Sequence, residues 1–169
     1  MAEERGRTIL VAVDEGDESA YALSWCLKNF LCDRNPKDTV VLLYAKPGRV
    51  VYTAMDATGY LFSPDVIATV ERYGNEVAHS VIDKAKEVCK ELNDQIKVET
   101  MVEQGDPRDV ICEVADKLNV DCLVMGSHGY GVIKRAFLGS VSNHCAQNVK
   151  CPVLVVKKPQ SNGANHRHQ

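Results

Sequence analysis

The 169-residue sequence is short of several things, and each shortage closes a class of function. It has no apolar run of about eighteen residues, so no segment reads as a membrane-spanning helix. It has no excess of positive charge: 20 Lys and Arg stand against 23 Asp and Glu, a net charge of −3 with an isoelectric point near 5.9. That balance argues against a general nucleic-acid surface. The opening segment Met1 to Arg7 is polar and charged and lacks the apolar core of a signal peptide. The 7 cysteines (Cys26, Cys32, Cys89, Cys112, Cys122, Cys145, Cys151) make no C-x-x-C pair, and the 5 histidines make no H-x-x-x-H pair. Structural zinc is therefore not expected, and the thiols read as reduced and mostly buried, in a cytosolic or nuclear setting. A redox switch through Cys32 or Cys151 has no support from spacing. There is no G-x-x-x-x-G-K-[ST] and no G-x-G-x-x-G after the first strand, so neither a P-loop nor a dinucleotide fingerprint is present. No internal repeat of useful length occurs.

What remains is an ordinary globular composition, 45% hydrophobic and 25% charged, in a chain long enough for one well-cored domain. Thr8 to Val13 is apolar and β-branched, as suits a strand buried on both faces, and it ends in the acidic turn Asp14-Glu15-Gly16-Asp17. Ala20, Leu23, Leu27 and Phe30 recur at helical spacing over Glu18 to Leu31. Asn35-Pro36 breaks the chain before a strand over Thr39 to Ala45. From Lys46 to Ser63 periodicity lapses, and a long loop over residues 46–64 is expected, either functional or poorly ordered. Ser63-Pro64 reads as an N-cap and first-turn proline. The long amphipathic helix that follows reaches about Asn93, with Gly74 as a point of kinking or interruption. Lys97 to Val102 reads as a third strand. Gly105-Asp106-Pro107 starts a helix with Val110, Ile111, Val114, Ala115 and Leu118 on its buried face. The alternation β-α-β-α-β-α-β-α-β demands a mainly parallel sheet with right-handed crossovers and helices on both faces. Residues 1–7 and 159–169 read as polar tails around a domain over 8–158, the second tail disordered.

The chemistry concentrates between Asp121 and Lys158. The apolar run Cys122-Leu123-Val124-Met125 empties into Gly126-Ser127-His128-Gly129. Nine residues later come Gly139-Ser140, a helix over Val141 to Val149, then Pro152 and the strand Val153 to Val156. Glycines admit a ligand to the backbone without a Cβ in the way. Ser140 reads as an N-cap, and the free amides and dipole of the helix start favour an anion such as phosphate. Ligands of open α/β sheets sit at the carboxyl ends of the strands. The stretch reads as a phosphate cradle.

The spacing Gly126, two residues, Gly129, nine residues, Gly139, Ser140 resembles the nucleotide-binding signature of the universal stress protein family. The flanks Val124-Met125-Gly126-Ser127-His128-Gly129, Leu138-Gly139-Ser140-Val141-Ser142 and Cys151-Pro152-Val153-Leu154-Val155-Val156 are similar to the family as well. The likeness covers roughly residues 6–158, and single-domain plant members are the nearest in length and in the 46–64 insertion. It implies an α/β three-layer sandwich, the adenine-nucleotide α-hydrolase-like (Rossmann-like) fold, with a five-stranded parallel sheet in order 3-2-1-4-5. It also implies the class that binds ATP or AMP, with Mg or Mn accompanying ATP, and a homodimer built by pairing Val153 to Val156. By that likeness Ala12, Val13 and Asp14 frame adenine and ribose, with Asp14 on the ribose hydroxyls or on a metal through water. Ala45 offers its backbone to the adenine edge, and Met125 and Gly126 line the ribose side. Ser127 and His128 belong to the binding loop, and Gly129, Gly139, Ser140, Val141 and Ser142 face the phosphates. Many binding members carry Pro-Thr where this chain has Ala12-Val13, so one hydroxyl is lost.

Plainer roles compete. Asp14 equally suits a cap on the first helix or its loop, Ser140 and Ser142 suit helix caps, and Lys134-Arg135 suits a solvated face. A lone loop histidine such as His128 is weak evidence for catalysis, so no catalytic residue is assigned, and Glu103 and Asp106 read as turn chemistry. The expected function is a nucleotide-binding regulatory stress protein, cytoplasmic or nuclear, with at most slow ATP hydrolysis. The alternatives are a stress-related chaperone or scaffold with a vestigial site, and a genuine ATPase or adenylyl-transferring enzyme. The last lacks H-I-G-H and S-G-G-x-D motifs. Neither nucleic acid nor membrane is expected as a partner.

Overall fold

Apolar runs become strands here because both faces of the sheet are covered. The computed structural model describes residues 5–48, 63–128 and 139–159. Five strands, β1 (Thr8–Val13), β2 (Thr39–Lys46), β3 (Lys97–Gln104), β4 (Cys122–Gly126) and β5 (Val153–Val156), alternate with four helices. These are α1 (Asp17–Trp25, extended by a π-helical turn over Cys26–Phe30), α2 (Pro64–Leu92), α3 (Pro107–Leu118) and α4 (Ser140–Asn148). The sheet is wholly parallel in the order β3-β2-β1-β4-β5.

The period of two along each strand sorts side chains into two cores. Ile9, Val11, Val40, Leu42 and Val124 pack under α1 and α2, while Leu10, Val41, Leu43, Leu123 and Met125 pack under α3 and α4. On the second face the residues shrink toward the carboxyl ends of the strands: Leu10 gives way to Ala12, and Leu43 to Ala45. Both alanines are only half-buried.

Local chemistry sets the helix ends. The Val66 amide donates to Ser63 Oγ at 3.4 Å, with Pro64 first in α2, and the Arg108 amide donates to Asp106 Oδ1 at 2.9 Å, with Pro107 first in α3. Gly105 before that cap has φ +150°, a backbone angle that favours glycine. Gly74 does not interrupt α2; a Cβ there would sit 3.0 Å from Lys46 Cε, whose ammonium donates to Asn75 Oδ1 at 2.7 Å. The first helix ends in a wider turn than a plain α-helix, the Leu31 amide donating to the Cys26 carbonyl at 2.9 Å. Cys26, Leu27 and Leu31 are all buried there.

Candidate functional site

The sheet order reverses at β1. β1 stays in register with β2 through Val13↔Tyr44 but pairs with β4 only from Ile9↔Cys122 to Val11↔Val124. Beyond Val11 the strands part, so Ala12 and Val13 diverge from Met125 and Gly126. A crevice at such a switch point is where open α/β sheets hold ligands.

A cleft of about 380 Å³ occupies it, within the range of small-molecule sites. Ala12, Val13, Asp14, Ala45, Met125, Gly126, His128, Ser140, Val141 and Ser142 all line it. Gly139 lies just behind, its amide donating to the Ser127 carbonyl at 2.6 Å. Gly129, with Lys134 and Arg135, lies outside the described residues, as do residues 49–62 of the long loop.

The cleft has two unlike ends. Leu43, Ala45, Pro107, Ile111 and Met125 make one end apolar. At the other, α4 begins, and the first-turn amides of Ser140, Val141 and Ser142 are those a helix leaves without an intrahelical acceptor. One end suits a flat heteroaromatic ring, the other an anion.

Ser140 is not the N-cap of α4: Gly139 holds that position in extended geometry, without a side-chain cap, and Ser140 opens the helix with its side chain exposed. Ser142 is buried and donates to the Ser127 carbonyl at 2.9 Å, with a second contact to the Gly139 carbonyl at 3.1 Å. Its hydroxyl therefore clasps the end of β4 to the start of α4. Gly126 does not serve ligand approach alone, since a Cβ there would lie 3.0–3.1 Å from the Glu18 backbone and Cβ. Its bareness lets α1 pack on the end of β4. A Cβ on Gly139 would meet the Ser127 carbonyl oxygen at 3.0 Å and His128 Cα at 3.2 Å.

The β1–α1 loop is held by its own side chains. Asp14 Oδ1 accepts from the Gly16 amide at 2.8 Å and from Ser19 Oγ at 2.9 Å, an Asx-turn arrangement. Asp14 thus shapes the loop. As a metal ligand it finds no company: among the described residues no group of three or more His, Cys, Asp or Glu is arranged to hold a metal ion.

Sequence reasoning missed Glu15, Ser19, Leu43, Tyr44, Pro47, Pro107 and Ile111, which also line the cleft. Buried Tyr44 donates its hydroxyl to Glu15 Oε1 at 2.8 Å, tying β2 to the loop. Burial, the bond to Glu15 and nearby negative charge hold the Tyr44 phenol above its ordinary pKa. The pattern of β2 carried a usable signal, because Leu43 and Tyr44 immediately precede the carboxyl end where Ala45 was placed. His128 is buried, with Nδ1 3.1 Å from Ser127 Oγ.

The universal stress protein family model matches residues 6–157. The chain belongs to the universal stress protein family. It is 32% identical over 167 residues to universal stress protein PHOS34 of Arabidopsis thaliana, covering 90% of this chain and 62% of that protein. Universal stress protein YxiE of Bacillus subtilis is 30% identical over 152 residues, covering 88% of this chain and 97% of the relative. The chain spans 62% and 65% of the lengths of the two Arabidopsis relatives PHOS34 and PHOS32. Among solved structures, MJ0577 superposes with a TM-score of 0.65 at 28% identity, covering 92% of this chain and 98% of the other. An Arabidopsis thaliana universal stress protein family protein with AMP bound superposes at 0.66 and 22% identity, covering 90% of this chain and 92% of the other. The shared fold is the Rossmann-like α/β sandwich with strand order 3-2-1-4-5 that the family resemblance implied. No helix among the described residues is long and apolar enough to cross a membrane.

Proposed function

We propose that this universal stress protein binds an adenine nucleotide, ATP or AMP, in the switch-point cleft and acts as a nucleotide-responsive regulator rather than as a fast enzyme. The observation that carries this is the two-ended cleft: small apolar residues Ala12 and Ala45 make room for a base, and the start of α4 offers amides to phosphate. The Arabidopsis structure of this fold with AMP bound supports the same reading. Adenine rests between Ala45 and Ile111, ribose beside Asp14 and Gly126, and phosphates face Ser140 to Ser142, with Gly129 included by its spacing. Among the described residues, the two carboxylates lining the cleft have structural tasks, Asp14 Oδ1 in its loop and Glu15 Oε1 with Tyr44, which favours at most slow hydrolysis. Any Mg or Mn arrives with the phosphates of ATP.

Calorimetric titration of nucleotide-stripped protein tests this. Micromolar binding of ATP or AMP is expected, with at least a tenfold loss in Ala45→Leu, whose added methylenes fill the apolar end. No heat with either nucleotide overturns the reading.

A second reading, a scaffold or chaperone, draws on the exposed stripe Val66, Val70 and Tyr73 along one face of α2. Suppression of client aggregation that is independent of ATP and lost in Val70→Lys separates it from the first. The assembly we propose is a homodimer through the edge strand Val153–Val156, whose open backbone needs a cover. A monomer by sedimentation at high micromolar concentration defeats it.

A further inference from the structure

Two thiols far apart in sequence meet behind the cleft. Cys112 on α3 and Cys145 on α4 place their Sγ atoms 3.9 Å apart. Cys145 is fully buried, whereas Cys112 is half-buried and reachable by a small oxidant. Cys112 directly follows Ile111, and Cys145 lies one helical turn after Val141; both neighbours line the cleft. The pair thus sits where the two helical walls of the site touch. A disulfide holds its sulfurs about 2.05 Å apart, so the two Sγ atoms need approach by only about 2 Å.

We propose that Cys112 and Cys145 form an intramolecular disulfide under hydroperoxide stress, tying α3 to α4 and weakening nucleotide binding by narrowing the cleft. The second half of this rests on the proposed nucleotide site; the first does not.

The chemistry balances with hydrogen peroxide as oxidant. Cys112 Sγ, as thiolate, attacks a peroxide oxygen; an S–O bond forms, the O–O bond breaks, and the leaving hydroxide takes up the thiol's proton as water. Cys145 Sγ then attacks Cys112 Sγ; the S–S bond forms, the S–O bond breaks, and a second water leaves with the Cys145 proton. Two thiols lose two electrons and the peroxide gains them. Burial holds the Cys112 thiol above its ordinary pKa and pushes Cys145 up to about 12. The pair therefore closes slowly, faster as pH rises.

Cys151 is the natural competitor, being within electrostatic reach of Cys112. The test treats the full chain with hydrogen peroxide at pH 8, alkylates remaining thiols with N-ethylmaleimide, and maps non-reduced peptides by mass spectrometry. The expected major cross-link joins Cys112 to Cys145, disappears in Cys112→Ser and in Cys145→Ser, and reverts with dithiothreitol. Full alkylation of both residues after exposed Cys32 has oxidised overturns the proposal, and so does a dominant Cys112–Cys151 cross-link. In calorimetry, cross-linked protein is expected to bind ATP and AMP at least about fivefold more weakly than reduced protein, with Cys112→Ser insensitive to peroxide. Unchanged affinity in cross-linked protein overturns the regulatory half. If reduced protein binds neither nucleotide, the proposed function fails instead, and the peptide map alone decides the cross-link.

Discussion

Single atoms decide how the β4–α4 junction is built. Gly126 is open toward the cleft on one side and pressed against the Glu18 backbone on the other, at 3.0 Å from an added Cβ. Gly126→Ala is therefore expected to destabilise the fold by about 1–3 kcal/mol, the cost typical of overpacking, read as a lower urea midpoint at unchanged slope. A midpoint equal to wild type would show that α1 yields freely. Ser142→Ala removes a buried clasp on the Ser127 carbonyl and should cost about 1 kcal/mol. It should also weaken nucleotide binding, since Ser127 and Gly139 would no longer be held together; equal affinity for ATP in the variant would confine Ser142 to stability. The glycine spacing marks the junction in the sequence itself. The roles within it are not legible there, because the Ser142 bond reaches a carbonyl 15 residues away and the Gly126 contact reaches a different helix. Pattern within a segment carries no such information.

At the scale of elements, the caps Ser63-Pro64 and Asp106-Pro107 were readable because they are local, hydroxyl or carboxylate before proline. The π-helical turn after Trp25 was not, since apolar spacing over Glu18 to Leu31 fits a plain α-helix equally well. Nor did the polar opening segment reveal that Arg7 anchors the start of the sheet. Its guanidinium, 5.6 Å above the Phe30 ring, pairs with Asp38 and Asp33, and its backbone amide also donates to Asp38 Oδ1 at 2.8 Å. Asp38 is 1% exposed, so the pair is asymmetric: the arginine can reach water and the carboxylate cannot. Its hydrogen bond to Asp38 holds the guanidinium charged, above its ordinary pKa. Arg7→Ala should therefore cost about 3 kcal/mol by stranding a buried carboxylate. Asp38→Asn, which leaves the arginine solvated, should cost less. Equal losses in chemical denaturation would contradict this picture.

For the whole molecule, alternating strand and helix patterns were enough for a parallel sheet, but strand order came through the family likeness, because crossovers alone do not choose which edge each strand joins. The cleft follows from that order combined with the small residues Ala12 and Ala45. The thiols are a property of the whole fold too. Cys26, Cys89 and Cys145 are at most 1% exposed, and burial pushes them up to about 12, 11 and 12 from an ordinary 9.0. Raised thiol pKa values mean that between pH 9 and 12 the unfolded chain releases protons that the folded chain keeps. Stability then falls with rising pH, by up to about 1.4 kcal/mol per pH unit for each thiol. Below pH 9 both states hold these protons and the contribution is flat. Under reducing conditions, the urea midpoint should decline from about pH 9 upward, with Tyr44 adding to the slope at the upper end through its own raised phenol pKa. Cys26→Ala isolates one term: the cavity lowers stability at every pH, whereas the lost titration flattens the alkaline slope. A variant with lower stability and the same slope would mean that Cys26 ionises without unfolding the core.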